Sequence, residues 1–290
     1  MAIATVGKDG LSMKRNEITV AVLRIEGTNM EDEAAAAFTA SGVRTEMVHL
    51  KQLEGRCPQA RRRSLDDYDM IVIPGGFSAG DYVRAGAIFA SRIKASVGKE
   101  LLSFVDNGKP VLGVCNGFQV LVELGMLPSG GEKGELLPRA ALATNISCRY
   151  ECRPAFLKNV NRGHCIFTSL IPEGTILCIP TAHGEGKMTF PPSKSDKWVK
   201  KLDELDELVF RYVDDRGEYA GYPWNPNGSV YNIAGVTDDT GFVLGMMPHP
   251  ERTYWRYLHT DWTRTGNPPE SYGDGMLIIE SAVRYLETHF

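Results

Sequence analysis

The stretch from Pro110 to Gln119 constrains this chain most: an apolar run, Val111-Leu112-Gly113-Val114, ends on Cys115 and passes at once into helical spacing. Pro110 to Val114 reads as a buried parallel strand, and Phe118, Leu121, Val122, Leu124 and Leu127 recur as one face of a helix. Cys115 sits at the hinge, with Gly113 and Gly117 two residues to either side. A sharp strand-to-helix turn needs small neighbours, and it lifts the hinge side chain above the sheet. The N–H groups of the following helix then favour the thiolate. Taken by itself, the turn also admits a buried structural cysteine.

The chain has 290 residues, 43% of them hydrophobic, enough for a substantial core. Its 32 Lys and Arg stand against 36 Asp and Glu, a formal charge of -4 that favours neither nucleic acid nor an anionic membrane as a partner. The basic cluster Arg61-Arg62-Arg63, with Arg56 nearby, reads as a solvated loop. No signal-peptide core lies in Met1 to Glu17 and no apolar run reaches 18 residues, so a cytoplasmic protein is expected. The six cysteines lack a framework of close pairs and read as reduced thiols. Cys148, Cys152, His164 and Cys165 fit no common zinc spacing, and no metal is expected.

Strands are expected at Ile18 to Ile25, Val43 to Leu50, Met70 to Ile73 and Pro110 to Cys115. Helices are expected at Glu31 to Ser41, closed by Gly42, and across Ala85 to Asn107. This alternation predicts an α/β fold: an open, mostly parallel sheet with helices on both faces. Beyond residue 140 the pattern changes to short strands, at Phe156 to Val160, Thr175 to Ile179, Leu208 to Val213, Ser229 to Thr237 and Phe242 to Met247, which predict additional antiparallel pairing. A loop begins at Pro191, a short amphipathic helix carries Trp198, Leu202 and Leu205, and Met276 to Leu286 closes the chain as a helix. Residues 1–17 read as an N-terminal extension and 18–290 as a single domain.

Reactive groups in such sheets gather beyond the carboxyl ends of the strands. Besides Cys115, two segments end there. Pro74-Gly75-Gly76-Phe77 can turn backbone N–H groups toward a bound carbonyl, so that Gly76 with Asn116 would form an oxyanion hole; a plain strand-to-helix turn is the simpler reading. Met247-Pro248-His249-Pro250-Glu251 places His249 and Glu251 two residues apart in a chain kept extended by proline, so both can share a face. Cys115, His249 and Glu251 then make a nucleophile, a base and an orienting carboxylate.

The set Gly113, Cys115, Gly117, Gln119, His249 and Glu251 resembles class I, triad-type glutamine amidotransferases. The longer runs Pro74-Gly75-Gly76-Phe77-Ser78, Gly80-Asp81-Tyr82, Arg84-Ala85-Gly86-Ala87, Ala182-His183-Gly184-Glu185-Gly186, Asn225-Pro226-Asn227-Gly228-Ser229 and Met247 to Arg252 are similar to the glutaminase-subunit branch of phosphoribosylformylglycinamidine (FGAM) synthase, in purine biosynthesis. The resemblance extends from about Ile18 to Glu251, while residues 1–17, 189–207 and 254–274 depart from it.

It implies hydrolysis of L-glutamine through a Cys115 thioester, with Gln119 and backbone groups across Ser147, Arg149 and Tyr150 holding the substrate. It also implies transfer of ammonia to a large synthetase subunit that binds ATP and Mg²⁺, usually with a small accessory subunit, and no cofactor on this chain. His183 and Glu185 form a second His and Glu pair in a glycine-rich stretch, expected as a mobile loop touching the partner or the mouth of the site. Two other readings stay open from sequence: a glutaminase or cysteine peptidase of related fold serving another pathway, and a non-catalytic scaffold.

Overall fold

The computed structural model describes residues 13–131, 136–264 and 266–290. Its strands are β1 (Thr19–Arg24), β2 (Arg44–His49), β3 (Met70–Ile73), β4 (Val111–Val114), β5 (Ala141–Thr144), β6 (Glu151–Asn159), β7 (Ile176–His183), β8 (Glu185–Thr189), β9 (Leu208–Val213), β10 (Ile233–Thr237) and β11 (Val243–Met246). The helices are α1 (Glu31–Ala40), α2 (Leu50–Leu53), α3 (Ala87–Ser96), α4 (Gly98–Asp106), α5 (Asn116–Leu124), α6 (Ser195–Glu204) and α7 (Asp274–His289).

A nine-stranded sheet runs in the order β2-β1-β3-β4-β11-β10-β9-β6-β7, and β5 pairs with β8 in a separate ribbon. From β2 to β11 neighbouring strands are parallel; from β11 to β7 they are antiparallel. This is the α/β arrangement anticipated from the alternating first half and the strand-rich second.

The centre of the sheet is covered on both faces, as its unbroken apolar strands require. On one face Val72, Leu112 and Val114 close on Ala34 and Phe38 of α1 and Ile279 of α7. On the other, the register partners Gly113 and Gly245 leave bare backbone for α5. A Cβ at Gly113 would stand 2.5 Å from Leu121 Cδ1, and one at Gly245 would stand 2.1 Å from Phe118 Cδ2. The two glycines let the helix that follows Cys115 settle directly on the strands that carry the site.

Several boundaries differ from the sequence expectation. The helical spacing of Ala85 to Asn107 resolves into α3 and α4, because Val97 leaves the helical region at φ -128 and serves as the junction. Strands β6 and β7 are longer than the apolar signal, since Pro154 and Pro180 face each other in register and their missing N–H groups fall together. Leu50 opens α2 instead of ending β2, because His49 caps it: the imidazole accepts the Lys51 N–H. Residues 229–232 precede β10 as a tight turn in which Tyr231 takes φ 54. Strands β5 and β8 went unrecognised from sequence; each is short and mostly not buried.

Of the expected extension, Met1 to Ser12 lie outside the described residues. Arg15 is pinned to α7, bonding Glu280 and Glu287 at 3.0 Å each.

Candidate active site

β4 ends one residue before Cys115, and α5 begins one residue after it. The turn forces Cys115 to φ 51 and ψ -105, a conformation that costs about 1–3 kcal/mol and persists only when its surroundings dictate it. They do so here: the Cys115 N–H donates to Met246 O at 2.8 Å, and Gln119 N–H donates to Cys115 O at 3.0 Å. Cys115 is 5% exposed, and its thiol donates to Ala182 O at 3.5 Å.

His249 and Glu251 follow β11, the parallel neighbour of β4. His249 is extended, and its N–H donates to Pro180 O at 2.8 Å, anchoring it to β7. Glu251 is not in extended chain, as the sequence reading supposed, but in a tight turn over Pro250–Arg252. The turn still brings the pair together: Nδ1–H of His249 donates to Glu251 Oε1 at 2.6 Å, with both residues buried. Burial disfavours the imidazolium, but Glu251 and then Cys115 outweigh it, and the His249 pKa is pushed up to about 10. Nε2 is buried and has no hydrogen bond of standard geometry. Gly75 separates nucleophile from base: a Cβ there would meet His249 Cε1 at 2.8 Å and Cys115 Cβ at 3.4 Å.

A cavity of about 150 Å³ opens over the thiol, lined by Cys115, Gln119, Gly76, Asp81, Tyr150 and residues 182–185, among others. Of the expected substrate residues, Gln119 and Tyr150 form its wall, while Ser147 and Arg149 stand back in the turn closed by Cys148 N–H on Asn145 O. The Tyr150 hydroxyl donates to Ala182 O at 3.0 Å, the same carbonyl that the Cys115 thiol meets. Gly76 and Asn116 flank the cavity and the thiol. Gly76 bridges Thr28, and the Asn116 side chain is locked by the Ser78 hydroxyl at 2.5 Å.

His183 and Glu185 lie at the cavity, but not in a mobile loop. His183 ends β7, 3% exposed, and Glu185 begins β8. Asn145 explains why: its amide donates to the carbonyls of Arg149 and His183, and its Oδ1 accepts the Gly186 N–H at 3.1 Å. Oδ1 is therefore an acceptor toward His183 too, so Nδ1 of that ring carries the proton and Nε2 is a buried lone pair without a partner. Burial first, then the charge on His249, lower the His183 pKa to about 3, so it cannot rival His249 as a base.

The unfolded chain takes up a proton at the ordinary histidine pKa, whereas this fold refuses it until about 3. Stability supplied by His183 is thus whole above about pH 6.5 and lost as pH falls toward 3, at about 1.4 kcal/mol per pH unit. Urea titrations should show the gap between pH 7 and pH 5 shrinking by about 2 kcal/mol in His183→Gln. An unchanged gap would remove His183 from that role.

Asn145 and Asp81 received no role from sequence; Asn145 reaches His183 and Gly186, and Asp81 reaches Asn116, across distances in the chain that leave no local signal. Among the described residues no three His, Cys, Asp or Glu side chains gather as a metal ion would need. All six cysteines are free. No described helix is long and apolar enough to cross a membrane.

Residues 17–286 match the model of the CobB/CobQ-like glutamine amidotransferase domain. The chain is 51% identical over 278 residues to phosphoribosylformylglycinamidine synthase subunit PurQ of Archaeoglobus fulgidus, covering 95% of this chain and 99% of the relative. It is 45% identical to the protein of the same name from Picrophilus torridus, covering 81% and 87%. Among solved structures, PurLQS from Thermotoga maritima matches with TM-score 0.68 and 30% identity over 93% of this chain and 99% of that one. This chain belongs to the CobB/CobQ-like glutamine amidotransferase family.

Proposed function

We propose that this protein is the glutaminase subunit of phosphoribosylformylglycinamidine synthase. It hydrolyses L-glutamine at Cys115 and hands the ammonia to an ATP-dependent synthetase subunit that converts formylglycinamide ribonucleotide to FGAM in purine biosynthesis. The observation that carries the chemistry is the strained Cys115 elbow facing the cavity, with the buried His249–Glu251 pair at 2.6 Å beside it. The relatives named PurQ, matched over nearly their whole length, support the choice of pathway.

The reaction divides between these groups. His249 takes the thiol proton, and the sulfur attacks the side-chain carbonyl carbon of glutamine. The oxyanion is met by the N–H groups of Gly76 and Asn116, a contribution worth on the order of a hundredfold in rate per donor. As the C–N bond breaks, the proton on His249 passes to the departing nitrogen, which leaves as ammonia. Water then adds to the thioester, His249 accepts its proton, and collapse of the intermediate frees glutamate and restores Cys115. Glu251 holds Nδ1–H throughout, so Nε2 faces the reacting groups. Gln119 and Tyr150 position the substrate, and ATP and Mg²⁺ are handled on the large subunit, with a small third subunit completing the assembly.

Affinity capture of the tagged chain from its native cytoplasm tests this reading. A large ATP-using subunit should be recovered, and the complex should convert formylglycinamide ribonucleotide with glutamine or with ammonium salt as nitrogen source. Capture of a different amination enzyme, or cleavage of peptides, would assign the site to another pathway.

A further inference from the structure

We propose that Asp81 and Glu185 together form the seat for the α-ammonium group of glutamine, and so make the site read a free amino acid instead of any primary carboxamide. This rests on the glutaminase reading above and adds the recognition element that reading lacks.

Both side chains belong to residues lining the cavity that holds the thiol, and none of the lining residues is Lys or Arg. Each carboxylate is held by a single donor: Asn116 Nδ2 reaches Asp81 Oδ1 at 3.3 Å, and Ala85 N–H reaches Glu185 Oε2 at 3.2 Å. Asp81 Oδ2 and Glu185 Oε1 are left without a donor among the described residues. Arg84, the guanidinium that feels Glu185, is already forked onto Glu123 at 2.6 and 2.5 Å.

The carboxylates are tied to the nucleophile through one short network. Asn116 Nδ2 also donates to Gln119 Oε1 at 3.0 Å, and the Gln119 amide donates to the Glu185 carbonyl. Burial first, and then the charge on Glu185, push the Asp81 pKa up to about 6. A cation placed between the two carboxylates relieves that repulsion.

Two further features support a built site. Asp81 is presented by a strained turn in which Ala79 and Asp81 take φ 52 and Val83 takes φ 74. His183, which lines the same cavity, carries a buried Nε2 lone pair with no hydrogen-bond partner. A free α-amino acid supplies N–H donors and positive charge together; an interior peptide glutamine supplies no ammonium.

The test compares L-glutamine with glutaramate, which keeps the carboxamide and carboxylate but lacks the α-amino group, using the complex captured with its partner subunits. Asp81→Asn keeps the side-chain shape and suits the positive φ. It and Glu185→Gln should each raise the KM for glutamine about 10- to 100-fold, with kcat within about threefold and kcat/KM on glutaramate unchanged. The wild type should prefer glutamine over glutaramate by a similar factor, and the variants should lose that preference. Equal losses on both substrates, or an unmoved KM for glutamine, overturn the seat while leaving the glutaminase reading intact. A wild-type complex that frees no ammonia from glutamine overturns both.

Discussion

Replacing Cys115 with serine is expected to lower glutamine hydrolysis at least about 10⁴-fold while leaving the melting temperature nearly unchanged, since losing the nucleophile of a triad costs about as much as losing the whole triad. The two side chains differ by a single atom, so the backbone bonds that hold the turn are untouched. What changes is acidity. A buried imidazole held near pKa 10 by Glu251 and Cys115 can keep the proton of a thiol, but a hydroxyl is too weak an acid to give it up. In the proposed complex, synthesis from added ammonium salt should survive the substitution, which separates a lost nucleophile from a lost partner. Activity within a hundredfold of wild type would mean that another group attacks glutamine.

Gly117→Ala is expected to be the most damaging conservative change near the site. A Cβ at this position would stand 1.8 Å from the carbonyl oxygen of Ile73 and 2.7 Å from its carbon, well inside van der Waals contact. Neither side can yield cheaply. Ile73 ends β3, whose backbone is paired with β1 on one side and β4 on the other, and Gly117 lies in the first turn of the helix seated on Gly113 and Gly245. The expected cost is about 3 kcal/mol or more, read as a fall in melting temperature of about 5 °C or more for a chain of this size. Glutaminase activity should fall with it, because moving the start of α5 moves Cys115. Gly221→Ala, where nothing lies within 4 Å of the added carbon, is the matched control and should be nearly neutral.

The parts of this site that were legible in the sequence are those fixed by local geometry. A strand, a thiol and a helix within ten residues admit few conformations, and small residues at 113 and 117 mark the turn. His249 and Glu251 were legible as a pair for a partly mistaken reason: proline keeps His249 extended, yet a tight turn, not strand alternation, delivers the carboxylate. What was not legible depends on contacts distant in sequence. His183 looks like a loop residue because glycines surround it; Asn145, 38 residues away, converts that stretch into ordered strand. Strand β5 has no buried residue and β8 buries only Gly186 and Met188, so neither carries a period-2 apolar signal, and the break at Val97 is invisible when helical spacing continues on both sides. Asp81 draws its surroundings from Asn116 and Glu185, neither of them a sequence neighbour.

The claim on which the account stands is that a γ-glutamyl group becomes attached to one sulfur. Incubation of the complex with 6-diazo-5-oxo-L-norleucine, followed by proteolysis and peptide mass mapping, reads this directly. The account predicts one label per chain, on the peptide carrying Cys115 and on none of Cys57, Cys148, Cys152, Cys165 or Cys178, with ammonia release lost in proportion and labelling slowed by excess glutamine. Full inactivation with Cys115 unmodified, or continued ammonia release from a chain fully labelled there, would contradict it.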